Sequence, residues 1–221
     1  MWHGVAVQIR DWLELILDVI LPPRERSLRM RTRTLDDLAL CPTEHHLCGA
    51  TVTTLVDYRT QAAQDSIRAL KYDGSGKSAT LLADALADYL REHIAQIHSF
   101  TPRQVLLVPM PLHNTRLRER GFNQTERVLR ALPIEFRDGT LSRISRDGLV
   151  RIRATPPQTK LSRRERLQNV RGAFEADTAI AMKSHLIIID DVVTTGATLS
   201  ECTKIAKEAG AMVTALALAR A

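Results

Sequence analysis

The sequence predicts an α/β protein with a central, mainly parallel sheet and helices on both faces of it. Three observations predict this class. Leu186, Ile187, Ile188 and Ile189 form an apolar, β-branched run of the kind a strand buried on both faces requires, and a polar turn and a helical stretch over residues 199–209 follow it. Val105, Leu106, Leu107 and Val108 form a second such run, stopped abruptly by Pro109 and Pro111. Ahead of it, residues 81–97 carry Leu82, Ala85, Leu86, Tyr89, Leu90 and Ile94 on one side of a helix. Apolar strands alternating with amphipathic helices are the signature of a parallel sheet.

The 221 residues suffice for one α/β domain with appendages. We divide them into an N-terminal part, 1–51, and a main domain, 52–221. Val5, Ile9, Trp12, Leu13, Ile16, Val19 and Ile20 recur at helical spacing, with Asp11, Glu14 and Asp18 between them. Such a helix is too short and too charged to span a bilayer, and its start lacks the basic residues and cleavage site of a signal peptide. Its acidic polar face also disfavours a membrane surface, so it is expected to pack on the domain or on a partner subunit. After Pro22 and Pro23, the arginines Arg24, Arg26, Arg29, Arg31 and Arg33 read either as a solvated connector or as a nucleic-acid contact strip without stacking aromatics.

Cys41, His45, His46 and Cys48 crowd eight residues, but structural zinc needs a second ligand pair to wrap the ion. None follows, so this stretch is expected to be a loop without zinc. Three cysteines imply no disulfide framework, and a reducing cytoplasm is the simplest setting. Residues 52–58 read as a strand and 62–70 as a helix. Gly74, Ser75, Gly76, Lys77 and Ser78 imitate a nucleotide-triphosphate loop, but the required leading glycine is replaced by Lys71 and a helix precedes the stretch instead of a strand. That reading is rejected.

The net charge is +6 and the isoelectric point about 9.6, which favours anionic partners without naming them. Between Arg116 and Arg171 there are fifteen Lys/Arg against six Asp/Glu, a local excess of +9. The whole positive balance of the chain therefore sits in one stretch, between two candidate ligand loops.

One of these loops follows the run at 186–189. Asp190 and Asp191 end the run, and Val192, Val193, Thr194, Thr195, Gly196, Ala197 and Thr198 lead into the helix. Turn amides, the helix dipole and threonine hydroxyls make a phosphate cradle, and Gly196 lets the backbone close on the ligand. Two carboxylates would repel a phosphate alone. They fit a ligand that also carries a diol or a metal ion, because they accept hydrogen bonds from vicinal hydroxyls and hold Mg²⁺ directly or through ribose or water. A ribose 5-phosphate satisfies both halves; the bland alternative is a plain turn with acids near a helix start.

The other loop is Pro109, Met110, Pro111, Leu112 and His113, at the carboxyl end of a strand, where open α/β sheets bind ligands. Its two X-Pro bonds allow a cis peptide. His113 is placed either to donate to an anionic leaving group or merely to hold the loop. Arg116 and Arg120 lie close behind. Residues 155–174, with Gln158, Arg163 and Arg166, read as a mobile loop running into a short basic helix, which either folds over a bound polyanion or crosses solvent between strands.

Residues 187–198 resemble the PRPP-binding signature of type I phosphoribosyltransferases (PRPP being 5-phosphoribosyl 1-diphosphate). Leu70, Lys71, Tyr72 and Gly74, the turn at 108–113, Arg116, the stretch Arg120, Gly121, Phe122, Asn123 and Gln124, then Gln158, Arg166, Asn169, Val170, Gly172, Ala173 and Phe174 complete an ordered set that resembles the ComF family. ComF proteins are phosphoribosyltransferase-like and associated with competence for DNA uptake; in the wider fold the same loops resemble glutamine amidophosphoribosyltransferase. The resemblance implies a type I phosphoribosyltransferase fold that binds PRPP with Mg²⁺. It places the ribose hydroxyls on Asp190 and Asp191, the 5-phosphate on 192–198, and the diphosphate on 109–113 with Arg116 and Arg120, under a segment holding Gln158, Arg163 and Arg166. It leaves two uses open: phosphoribosyl transfer with release of diphosphate, or a non-catalytic competence factor that senses PRPP or binds single-stranded DNA. Two departures matter. The four-cysteine zinc ribbon that usually follows the Pro-Pro element is degenerate, with Cys41 and Cys48 alone remaining. Relatives acting on 6-oxopurines carry an aspartate where this chain has Thr194, which disfavours such an acceptor, since a hydroxyl is no acid/base near neutral pH.

Overall fold

The computed structural model describes residues 29, 30, 32–156 and 162–221. The helix expected within residues 5–20 lies outside them, as do Arg24, Arg26 and Arg31. The described chain runs β1 (Thr43–Leu47), β2 (Ala50–Asp57), α1 (Gln61–Asp73), α2 (Gly76–Phe100), β3 (Gln104–Pro109), α3 (Asn114–Arg120) and α4 (Gln124–Ala131). It continues through β4 (Arg143–Ile144), β5 (Leu149–Arg151), α5 (Arg163–Val170), β6 (Phe174–Ala176), α6 (Thr178–Ala181), β7 (Ser184–Val193), α7 (Ala197–Glu208) and β8 (Met212–Arg220). Six strands form one sheet in the order β1-β2-β8-β7-β3-β4, parallel throughout except for the antiparallel β1–β2 pair. β5 and β6 form a separate antiparallel pair. No helix of the described residues is long and apolar enough to cross a membrane.

The central run behaves as its composition demands. Ile187 and Ile189 face a core made with Ile67, Leu70, Leu82, Leu86, Leu90, Ile94, Val128 and Leu129, contributed by α1, α2 and α4. Leu186 and Ile188 face the other core, with Leu199, Cys202 and Ala206 of α7 and Phe174 of β6. Side chains alternate along a strand, so one continuous apolar run serves both layers. Each of these leucines and isoleucines stabilises the fold by roughly 1.5–3 kcal/mol on burial.

The false triphosphate loop is a helix stop followed by a helix start. Gly74 takes a left-handed conformation (φ 60°) at the end of α1, and the Ser75 hydroxyl accepts from the Ser78 amide to cap α2.

Three expectations need correction. Residues 43–47 are a strand and not a loop. Cys48 (φ 50°) and Gly49 (φ 86°) are both left-handed, as a two-residue type I′ hairpin requires, and the hairpin joins the main sheet, so the division placed at 51–52 falls inside β2. No peptide bond among the described residues is cis, including those before Pro109 and Pro111. Arg29 is exposed but is more than a loose connector residue: its Nε and Nη2 donate to both oxygens of Asp65 at 2.8 Å. Asp65 is buried in α1, and these bonds hold its carboxyl below the usual carboxylate range.

A polar cluster sits among apolar layers where β7 and β8 begin. The Thr214 hydroxyl lies between His185 Nε2 at 2.9 Å and His93 Nε2 at 3.1 Å, and His93 stacks on Tyr89 with centroids 5.3 Å apart. His185 is 7% exposed, and burial, reinforced by His93 and Arg103, lowers its pKa to about 4. The unfolded chain takes up a proton on this residue near pH 6.5 while the folded chain stays neutral down to about 4, so stability falls as the pH drops through that window. The total is roughly 3 kcal/mol at about 1.4 kcal/mol per unit. Urea unfolding of His185→Gln between pH 7.5 and 4.5 is therefore expected to show a shallower acid limb than the parent; an identical slope would remove His185 as its source.

Candidate functional site

β7 does not stop at the carboxylates. It continues through Val193, with Val192 opposite Ala219 and Val193 opposite Arg220. Val192 and Val193 therefore stay in the ladder, as β-branched apolar residues do, and the loop proper is Thr194, Thr195 and Gly196. The Val192 amide is already engaged, donating to Asp191 Oδ1 at 2.7 Å. Gly196 is left-handed (φ 78°) and lies so close to Leu47 that a Cβ at this position would collide with it. α7 starts here with no side-chain cap from Gly196 itself, although the Ala197 amide donates to Thr195 Oγ1 at 3.4 Å; a helix start of this kind favours an anion through its dipole and turn amides. An open cavity of about 50 Å³, lined by Asp190 and residues 192–199, sits at this junction.

The two aspartates are separated by the period of the strand. Asp191 continues the series of Ile187 and Ile189 toward α1 and α4, where it is 5% exposed, accepts from Gln124 Nε2 at 3.0 Å and pairs with Lys71 Nζ at 3.5 Å. Gln124 is held in turn by Arg120 Nη1 at 2.6 Å. Asp190 continues the series of Leu186 and Ile188, lines the cavity, and accepts the Asp191 amide at 2.9 Å. Burial, and then the charge of Asp191, push Asp190 up to about 7, which Lys71 and Arg151 offset only in part. Cys202 lies beneath, its Sγ 3.7 Å from Met110 Sδ, with burial raising its thiol well above the ordinary value; it packs and does not react.

The proline turn is joined to both neighbours. The Met110 amide donates to Ile189 O at 2.8 Å, and Asn123 Nδ2 donates to Met110 O at 2.9 Å. Pro111 and Leu112 lead to His113, the cap of α3, whose Nδ1 accepts the Thr115 amide at 3.3 Å. That bond leaves Nε2 as the ring's donor. Arg116 is half-buried on α3. Arg120, expected beside the diphosphate, ends α3 and donates from Nη1 to Gln124 Oε1 across the turn at Gly121 that leads into α4. Arg166 of α5 donates from Nη1 to Thr194 Oγ1 at 2.9 Å, which brings the basic helix onto the loop; Thr198 lies in the first turn of α7. Gln158 and the side chain of Arg163 lie outside what the structure describes.

Four contributors escaped the sequence reading. Lys71 and Gln124 carry no local sign of this role, because their common contact with Asp191 spans distant elements. Cys48 donates its thiol to Thr195 O at 3.0 Å and accepts at its carbonyl from Ser200 Oγ at 2.6 Å, a join no local pattern signals. Arg151 was lost among fifteen cations, although it stacks on Phe174 at 5.2 Å and lies within electrostatic reach of Asp190.

No protein-family model matches the chain. The DNA utilization protein YhgH of Salmonella typhimurium is 33% identical over 132 residues, 59% of this chain and 56% of the relative's own length. The competence protein ComFC of Streptococcus pneumoniae is 29% identical over 151 residues, 68% of this chain and 60% of the relative. The DNA utilization protein YhgH of Escherichia coli (strain K12) is 30% identical over 198 residues, 81% of this chain and 82% of the relative. At that identity and coverage, the chain belongs to the ComF family of competence and DNA utilization proteins.

Proposed function

We propose that this protein binds PRPP with Mg²⁺ and transfers its phosphoribosyl group to an acceptor with release of diphosphate, in the service of DNA uptake or utilization. The observation that carries the reading is the small open cavity that has the first turn of α7 and the 194–196 loop on one side and the Asp190 carboxylate on the other. The 5-phosphate belongs with residues 194–198. Asp190 accepts from the ribose hydroxyls, and Asp191, fixed by Lys71 and Gln124, holds the strand end and its charge in place. The donor set suits Mg²⁺, since Asp190 presents carboxylate oxygens at the cavity and this cation takes oxygen ligands together with water and substrate phosphates. Bound there, Mg²⁺ would supply positive charge to the departing diphosphate. His113 Nε2 and Arg116 offer the donors beside the proline turn.

During transfer a nucleophile attacks ribose C1 as the C1–O bond to diphosphate breaks, and positive charge gathers on the ring. The side chains here orient the sugar and stabilise the leaving group, so most of the catalysis is placement and electrostatics. Arg166 on Thr194 brings α5 over the loop, in a position to exclude water. The three cysteines are free thiols, which suits a cytoplasmic setting.

A second use is favoured by one feature, the exposed arginines Arg164 and Arg171 at the two ends of α5, with Arg153 donating to the carbonyls of Asn169 and Arg171 beside them. Such a ridge fits the backbone of single-stranded DNA.

By calorimetry with Mg²⁺ present, Asp190→Asn combined with Asp191→Asn should weaken PRPP binding by at least about 100-fold, as lost charge-assisted hydrogen bonds require. Unchanged affinity would remove the ribose assignment. Binding by the parent should also weaken roughly tenfold per unit below about pH 7, as Asp190 takes up its proton. Gly196→Ala should cost about 1–3 kcal/mol in denaturant unfolding and weaken ribose 5-phosphate binding, because φ 78° and the Leu47 contact both exclude a Cβ. For the DNA reading, Arg164→Gln with Arg171→Gln should reduce the salt slope of single-stranded DNA binding by about 1.4 at unchanged PRPP affinity; an unaltered slope would exclude the ridge.

A further inference from the structure

A second cavity, of about 560 Å³, plays no part in the phosphoribosyl chemistry and has the size of a small-molecule site. It lies where β2 ends at Asp57, β8 ends at Arg220 and β1 begins, at the carboxyl edge of the parallel strands, where such sheets bind ligands. In the sheet order the proline turn leaves β3 on one side of β7, and this cavity opens beyond β8 on the other. No residue lines both it and the cavity at the threonine loop.

Its polar groups form a string with one direction. A guanidinium has only donors, so Arg220 Nη1 donates to His45 Nδ1. A ring nitrogen that accepts carries no proton, so the other nitrogen of the neutral imidazole, Nε2, donates to Thr54 Oγ1 at 2.9 Å. The Thr54 oxygen accepts that bond, and its own proton has no acceptor among the described residues. Thr54 is only 3% exposed, and it lines the cavity. A buried hydroxyl in that position finds its acceptor in whatever occupies the space.

The acceptors at the same wall are already taken. Asp57 receives the Arg59 amide at 2.8 Å and the Arg59 guanidinium on both oxygens. Thr43 donates to Cys41 O at 2.9 Å. Arg220, in contrast, is met by an uncharged imidazole and by no carboxylate side chain among the described residues. With His45 neutral, two arginines against one aspartate leave the lining side chains one positive charge in excess. Unmet donors and a surplus cation select a ligand that brings oxygen acceptors and negative charge. His45 and Thr54 both belong to the β1–β2 ladder, so the string is set before a ligand arrives.

We propose that this cavity is a second anion site, separate from the ribose 5-phosphate seat, and that it holds the phosphate or carboxylate group of a small molecule between Arg220 and the Thr54 hydroxyl. It goes beyond the phosphoribosyl reading and stands without it.

The test titrates the full chain with inorganic phosphate and, separately, with malonate at about pH 7.5, where an ordinary imidazole is neutral. The His45 ring and the Gly196 amide are followed by NMR in the parent, Arg220→Gln, Arg220→Lys and Thr54→Val, with thermal unfolding recorded for each. Arg220 is exposed at a strand end, so replacing it spares the core. A saturable shift of the His45 ring is expected with at least one anion; phosphate alone assigns a phosphorylated ligand, malonate alone a carboxylate, and both an oxyanion of either kind. Arg220→Gln should weaken that binding roughly tenfold or more and Thr54→Val roughly threefold, while any phosphate affinity read at Gly196 stays within about twofold. Arg220→Lys keeps the charge without the fork and should fall between the parent and the glutamine variant. A His45 ring that responds to neither anion overturns the inference. So does parent-like affinity at His45 in every folded variant, or an equal loss at His45 and Gly196, the mark of a single shared site. A His45 response with a silent Gly196 amide supports this site while removing the phosphate seat at the threonine loop.

Discussion

Adjacent aspartates on a buried strand cannot share an environment, because neighbouring side chains leave a strand on opposite faces. That constraint organises the site. Asp191 is turned toward α1 and α4 and met there by Lys71 and Gln124, while Asp190 is turned toward α7 and the cavity. A carboxylate with 5% exposure is tolerable only with a cation and a donor in place. The far-flung residues that provide them, from the end of α1 and the start of α4, are drawn to one point by that need. Asn123 extends the arrangement to the proline turn through Met110 O, so the two ligand loops share one frame.

The same division sets stability against use at Asp190. Its pKa in the folded chain, about 7, lies above the ordinary 3.8, so between those values the folded state holds a proton that the unfolded state has released. Stability from this group is therefore full below about 3.8 and declines as the pH rises through 7. Near neutrality the ligand-free fold carries an ionised group in a place that resists it. A ligand offering hydroxyls or a cation removes that disadvantage, so the destabilised carboxylate is also the one that gains most from binding.

What could be read from the sequence follows from what is local. β3, β7, α2 and α7 announce themselves through apolar runs and helical periodicity, and the triphosphate decoy is excluded by Lys71 and by the helix before it. β1 is invisible for the opposite reason: Thr43, Glu44, His45 and His46 contain no apolar alternation, and pairing with β2 supplies what the side chains do not. The end of β7 was placed too early because two acids look like a boundary, whereas Val192 and Val193 keep the ladder through Ala219 and Arg220. Arg120 sits near the proline turn in sequence but is drawn to Gln124 four residues on.

The threonine loop depends on a segment that the sequence gives no reason to place beside it. Leu47 packs where Gly196 has no side chain, the Cys48 thiol donates to Thr195 O, and Ser200 returns a hydrogen bond to the Cys48 carbonyl. Cys48 itself is left-handed, a conformation costly for a residue with a side chain, and it persists because the hairpin and α7 over-determine it. An anion seat made of backbone amides works only if those amides point inward before the ligand arrives, since ordering them afterwards would consume binding free energy. The hairpin supplies that order from 150 residues away in the chain, roughly the separation of Cys48 from Ser200. Gly196 is thus needed twice, once for its own left-handed turn and once to let Leu47 approach, and the edge hairpin is as much a part of the phosphate seat as the loop that touches the ligand.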